Sequence, residues 1–90
     1  MKPIIYISDP SNSYLKIDVR TVENLGFINS ISEHSFFNNR YVWLECDNDS
    51  QLYFDALDER GLAEPTIYME TLDKQAPFRL YPRFSAKVAA

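Results

Sequence analysis

The sequence predicts an α+β domain: a four-stranded antiparallel sheet with two helices on one face, in the order βαββαβ, followed by a C-terminal extended arm. Three observations predict it. Residues 40–46 alternate in strand period, residues 51–60 read as an amphipathic helix capped by the turn before it and stopped at Gly61, and short β-branched or aromatic runs occur at 3–8, 27–37 and 66–72.

Ninety residues suit one domain, and 46% hydrophobic composition with six Tyr, six Phe and one Trp is enough to fill a core. The boundaries expected are residues 1–72 for the domain and 73–90 for the arm and a fraying tail. The formal charge is -4. No apolar run reaches membrane-spanning length, and the run in MKPIIYISDP is too short for a signal peptide before Asp9 and Pro10, so a cytoplasmic location away from membranes is expected. The single Cys46 excludes an internal disulfide.

Residues 3–8, PIIYIS, give the first strand. Asp9 and Pro10 read as an N-cap and first-turn pair, and Leu15, Val19, Val22 and Leu25 then share one helical face up to a stop at Gly26. A strand from Tyr14 to Val19 competes with this helix, because Leu15, Ile17 and Val19 also alternate and Ile17 lies off the helical stripe. Residues 27–37 make a second strand. Asn38 and Asn39 can take the positive φ angles of a tight hairpin turn.

In the central strand, residues 40–46, Val42, Leu44 and Cys46 point to the core and Tyr41, Trp43 and Glu45 point outward, because a carboxylate is rarely buried unpaired. Cys46 is therefore read as an inert buried thiol. In the following turn Asn48 and Gln51 have capping-box spacing, and Asp47 or Asp49 can accept free helix amides. Leu52, Tyr53, Ala56 and Leu57 form the buried stripe of the helix, and Asp55, Asp58 and Glu59 share its open face. Gly61 is the left-handed stop, Leu62 a Schellman contact, and Pro65 a barrier to continuation. Residues 66–72 alternate again, with Ile67 and Met69 inward and Tyr68 and Glu70 outward. In the arm Phe78, Leu80 and Phe84 alternate with Arg79, Tyr81 and Arg83, and Pro82 restricts it to an edge strand or extended segment. Residues 85–90 are expected to fray.

No arrangement of residues specifies a reaction. Two glycines cannot make a glycine-rich phosphate loop. His34 is the only histidine, and with Cys46 it falls short of a structural zinc site. DNDSQ places acids at positions one and three of a calcium loop, but Leu52 takes the position that needs glycine. The expectation is a non-enzyme with no catalytic residue, metal or cofactor.

Ile5, Tyr6 and Ile7 in the first strand, Tyr41, Trp43 and Glu45 in the third, the passage 26–31, and the interval from Tyr41 to Gly61 carry a resemblance. Over residues 4–72 the chain resembles the ferredoxin-like class and, within it, the RNA recognition motif. The resemblance implies that Tyr6, Tyr41 and Trp43 stack splayed bases. The residues themselves point elsewhere, since phosphate contacts need cations and the domain is acidic. Residues 45–60 carry six acids against one base, whereas residues 74–90 carry four bases and no acid. The candidate binding residues are Tyr6, Tyr41, Trp43 and Tyr68 on an aromatic sheet face, Asp55, Asp58 and Glu59 on the helix, and Arg79 and Arg83 on the arm. The expected function is a non-catalytic protein-interaction or regulatory module. Its aromatic face would be covered by a protein partner, a second copy or the chain's own arm. The alternatives are single-stranded RNA or DNA binding and acidic inhibition of a nucleic-acid-handling protein, as in small phage or plasmid proteins.

Overall fold

In the computed structural model, which describes residues 3–85, the first apolar run forms β1 (Ile4–Ser8) and Asp9 turns the chain straight back. The Asp9 N–H donates to the Asn12 carbonyl at 2.9 Å, and its carboxylate accepts the amides of Ser11 and Asn12 at 2.9 and 3.0 Å. This closes a hairpin to β2 (Ser13–Asp18), antiparallel to β1 from Ile5↔Lys16 to Ser8↔Ser13. The helix expected over residues 10–25 therefore shrinks to α1 (Val19–Leu25), and the competing strand occupies residues 13–18. The confusion has a physical source. A carboxylate that accepts amides two and three residues ahead serves an Asx turn as well as a helix N-cap. Burial decided between them, because Leu15 and Ile17, each 1% exposed, reach one core only from a strand. The actual N-cap is Asp18, which accepts the Arg20 amide at 2.8 Å. Gly26 ends α1 as expected, at φ 81° with its N–H on the Val22 and Glu23 carbonyls.

The strand expected over 27–37 survives only as β3 (Phe36–Phe37), after a 3-10 turn at Ile28–Ser30. The loop between them is pinned by Asp49, whose carboxylate accepts the Ser32 amide, the Ser32 hydroxyl and the Ser35 hydroxyl at 3.0, 2.7 and 2.5 Å. The hairpin from β3 into β4 (Tyr41–Glu45) forms at Asn38 and Asn39, without positive φ. The Asn38 side-chain oxygen instead accepts the Arg40 and Tyr41 amides.

α2 (Ser50–Glu59) crosses from β4 to β5 (Ile67–Thr71), and a 3-10 turn at Pro77–Leu80 follows. Gly61 stops α2 at φ 65° in a Schellman arrangement, with Leu62 N–H on the Leu57 carbonyl and Gly61 N–H on the Asp58 carbonyl. The capping box at its start does not form. Asn48 turns back to Glu45, and Asp49 reaches Ser32 and Ser35.

The strands lie in the order β3-β4-β2-β1-β5, with β5 parallel to β1 and every other pair antiparallel. The class is α+β, as expected. The four-stranded antiparallel ferredoxin-like topology is not, because the β1–β2 hairpin puts a strand where the first helix was placed and β5 adds a parallel edge.

Both faces of the sheet are covered near its centre. On one, Leu15, Ile17, Val42 and Leu44 pack with Val22 of α1 and Tyr53, Ala56 and Leu57 of α2. On the other, Ile7, Tyr14, Phe36 and Trp43 pack with Ala76 and Phe78. The expected arm is thus a strap that crosses the sheet. It turns at Pro77–Leu80 instead of extending, so Leu80, which alternates with Arg79 and Tyr81 in the sequence, is 87% exposed while Phe78 is buried. Its end pairs with β3: Phe37 N–H donates to the Pro82 carbonyl and Phe84 N–H to the Ser35 carbonyl. The fraying expected for the tail falls, beyond Ser85, outside the described residues.

Asp9 anchors the strap. Its carboxylate, 1% exposed, accepts the Ala76 amide at 3.0 Å and the Arg79 guanidinium at 2.6 and 3.0 Å. Burial pushes its pKa up, but the Ala76 amide, Arg79 and the Ser11 and Asn12 amides outweigh burial and lower it from 3.8 to about 2. A folded pKa below the unfolded one gives stability that is complete above about pH 4 and lost as pH falls through about 2. Asp9→Asn is expected to cost roughly 2 kcal/mol at pH 7 and much less at pH 2. Urea unfolding of both proteins across that range checks the convergence.

Candidate functional site

Strand register decides which aromatics share a face. Trp43, Lys16, Ile5 and Tyr68 lie in one row across β4, β2, β1 and β5, whereas Tyr6 lies in the adjacent row with Leu15, Leu44 and Met69. Side chains alternate along a strand, so Tyr6 faces the helices and Trp43 faces the strap. The expected platform of Tyr6, Tyr41 and Trp43 is therefore split between two faces.

Trp43 is also covered. It is 5% exposed, and the Phe78 ring stacks on it with centroids 5.0 Å apart and planes 9° apart. Tyr81 tilts against it at 5.3 Å, while Phe78 meets Tyr14 edge-on at 4.9 Å. Such contacts add about 0.5–1.5 kcal/mol each beyond area burial. Of the three covers considered for this face, the chain's own arm is the one in place. Tyr41, two residues before Trp43 on β4, is half-buried with Lys16 Nζ 4.2 Å and the Arg40 guanidinium 5.2 Å from its ring centroid. Tyr68 is 60% exposed at the edge.

Glu45, taken as the mark of an open face, is 4% exposed. The premise that a buried carboxylate needs partners holds, and the turn after β4 supplies them: the Asp47 amide and the Asn48 side-chain amide donate to it. Arg79 is engaged by Asp9. Arg83 lies over the Phe36 ring at 5.3 Å and donates to the Glu33 carbonyl at 3.2 Å. Both arginines hold the strap and its end, and neither joins an aromatic binding patch.

Ile67 and Met69 were expected inward, but every residue of β5 is exposed. They project toward the helix side, beyond the reach of α1 and α2. Cys46 is half-buried just past β4, where burial pushes its thiol pKa up against hydrogen bonds from the Tyr6 and Ser50 side chains. That keeps it protonated at neutral pH. His34 is exposed.

On α2 the expectation for the open face holds in position. Tyr53, Ala56 and Leu57 are buried, and Asp55, Asp58 and Glu59 are exposed. Around this face the structure adds a shallow groove. Gln51, Asp55, Asp58 and Glu64 border it, and Phe54, Leu57 and Leu62 supply its apolar lining. Asp55 accepts only the Gln51 side-chain amide, at 2.9 Å. Among the described residues the one ion pair is Asp9 with Arg79, so none of their cations pairs with a carboxylate of the groove. Phe54 and Glu64 were not singled out in the sequence, and Leu62 only as a Schellman contact. The i, i+4 spacing of Phe54 to Asp58 was a usable signal, whereas Leu62 and Glu64 reach the groove only through the turn at Gly61.

Among the described residues no three His, Cys, Asp or Glu side chains converge as a metal-binding group, and no helix is long and apolar enough to cross a membrane. No protein-family model, curated protein or solved structure compared with the chain matches it.

Tyr81, 42% exposed, is the outer cover of Trp43. Tyr81→Ala is expected to shift Trp43 emission to the red and raise its quenching by acrylamide, at a stability cost near 1 kcal/mol. Phe78→Ala should cost about 3–5 kcal/mol. Equilibrium unfolding followed by fluorescence measures both.

Proposed function

We propose that the chain is a non-catalytic protein-recognition module whose acidic α2 groove receives a basic segment of another protein. The observation that carries this reading is the set of exposed carboxylates at Asp55, Asp58 and Glu64, uncompensated by any cation among the described residues, around the apolar groups of Phe54 and Leu62. Carboxylates of one sign in a concave site raise the encounter rate with a cationic partner. The apolar lining adds contact area that salt does not screen. Leu62, 46% exposed, is the anchor available to a partner's aliphatic side chain or lysine stem.

Proteins that grip nucleic acid present clustered Lys and Arg. A regulatory form of the reading follows, in which α2 competes with phosphates for such a surface. A cytoplasmic setting with reduced Cys46 belongs to the same reading. Base stacking has less to stand on, because Trp43 lies beneath Phe78 and Tyr6 faces the helices.

Peptide display against the intact protein tests the groove. Selected peptides are expected to pair Lys or Arg with an apolar residue. Their affinity should fall tenfold or more for Asp55→Lys with Asp58→Lys, and also with rising salt. Peptides without basic enrichment, or affinity indifferent to the charge reversal, would remove the groove from consideration.

A further inference from the structure

The two edges of the sheet are treated differently. At β3 the chain's own residues 82–84 supply backbone partners, through Phe37 N–H to the Pro82 carbonyl and Phe84 N–H to the Ser35 carbonyl. At β5, among the described residues, nothing pairs with the outer edge. Exposed edges are ordinarily blunted by lysine, proline, a bulge or a covering segment. β5 reads IYMET, with neither lysine nor proline, and its pairing with β1 runs unbroken from Ile4↔Ile67 to Ser8↔Thr71. Ile67, Tyr68 and Met69 are 37%, 60% and 76% exposed.

The register identifies the groups that are free. Ile4 N–H donates to the Thr66 carbonyl and Leu72 N–H donates to the Ser8 carbonyl. Even-numbered residues of this segment therefore turn their backbone groups toward β1, and by alternation Ile67, Met69 and Thr71 turn theirs outward. Side chains alternate too, so these three project toward the helix side of the sheet, while Tyr68 and Glu70 project toward the strap side.

We infer that β5 pairs with β5 of a second copy of this chain, antiparallel about a two-fold axis through Met69. In that register the outward-facing residues meet as hydrogen-bonded pairs, Met69 with Met69 and Ile67 with Thr71, each exchanging both N–H···O bonds. Exposed apolar and β-branched side chains meet on the helix side. On the strap side Tyr68 lies opposite Glu70, twice by symmetry, in the closer non-hydrogen-bonded spacing. The only charge on the strand thus faces a tyrosine hydroxyl that can donate to it. A shift of two residues along the partner would lose that match: centred on Tyr68 it puts Tyr68 on itself, and centred on Glu70 it puts the two carboxylates together. The strand is self-complementary about Met69, which is what an isologous interface requires. Pairing joins the two sheets into one, with the helix layers on the same side and the acidic α2 grooves left open.

Sedimentation velocity of the full chain over a range of concentrations is the direct test. The wild type is expected to form a species of twice the protomer mass. Met69→Pro removes an outward N–H that β1 does not use, so it should sediment as a monomer while circular dichroism and Trp43 emission stay native. Register is tested at Tyr68. Tyr68→Glu places acids opposite one another and should weaken association at least tenfold, Tyr68→Lys places lysine opposite Glu70 and should preserve it, and Glu70→Lys added to Tyr68→Glu should restore it. These surface changes also decide the matter if Met69→Pro disturbs folding. A wild type that stays monomeric at every concentration overturns the inference. So does a dimer unaffected by Tyr68→Glu, or a β5 edge that takes a strand only from another protein.

Discussion

The buried carboxylate of Asp9 joins the turn of the first hairpin to a segment 67 to 70 residues further on. One oxygen is held mainly by the local amides of Ser11 and Asn12, and the other receives Ala76 and Arg79. A carboxylate this enclosed tolerates its charge only because several donors converge on it. Each donor thereby fixes part of the fold. The hairpin sets the β1–β2 register, and the strap is delivered to the face where Phe78 can stack on Trp43. Without that anchor the second apolar cluster would be an exposed aromatic patch on a small domain, of the kind soluble chains rarely leave open.

Two further buried carboxylates, Asp49 and Glu45, act in the turns that flank β3 and β4. Asp49 gathers Ser32 and Ser35, and the Ser35 hydroxyl in turn accepts the Glu45 amide. Glu45 is satisfied by its own turn. These groups hold the loop between the 3-10 turn and β3, which explains why a β-branched, aromatic stretch becomes mostly loop. Backbone groups there find side-chain partners instead of a ladder. The acids satisfied by donors inside the fold are thus distinct from Asp55, Asp58 and Glu59 of α2, which face solvent.

Closure is uneven across the molecule. The strap covers one sheet face and caps the β3 edge, the helices cover the other face near its centre, and both coverings stop short of β5. Among the described residues the acidic groove on α2 and the β5 edge are left without partners. They differ in physics: one offers charge with an apolar lining, the other a row of backbone donors and acceptors.

The sequence by itself determined the local elements whose signals are chemical and short-ranged. The α2 stripe, its stop at Gly61 with the Leu62 bond, the stop at Gly26, the central strand and the exposure of Asp55, Asp58 and Glu59 all follow from periodicity and backbone preference within a few residues. The tertiary structure alone decided whether Asp9 capped a helix or closed a turn, because both use the same carboxylate-to-amide bonds and only the burial of Leu15 and Ile17 separates them. It also decided which aromatics share a face. A one-residue difference in register reverses a side chain's direction, so the separation of Tyr6 from Trp43 depends on pairings between distant strands. The cover over Trp43 and the burial of Glu45 were hidden for a related reason. The strap's alternation reads as an extended segment whereas it turns at Pro77–Leu80, and the donors to Glu45 lie in a turn whose geometry no spacing rule specifies.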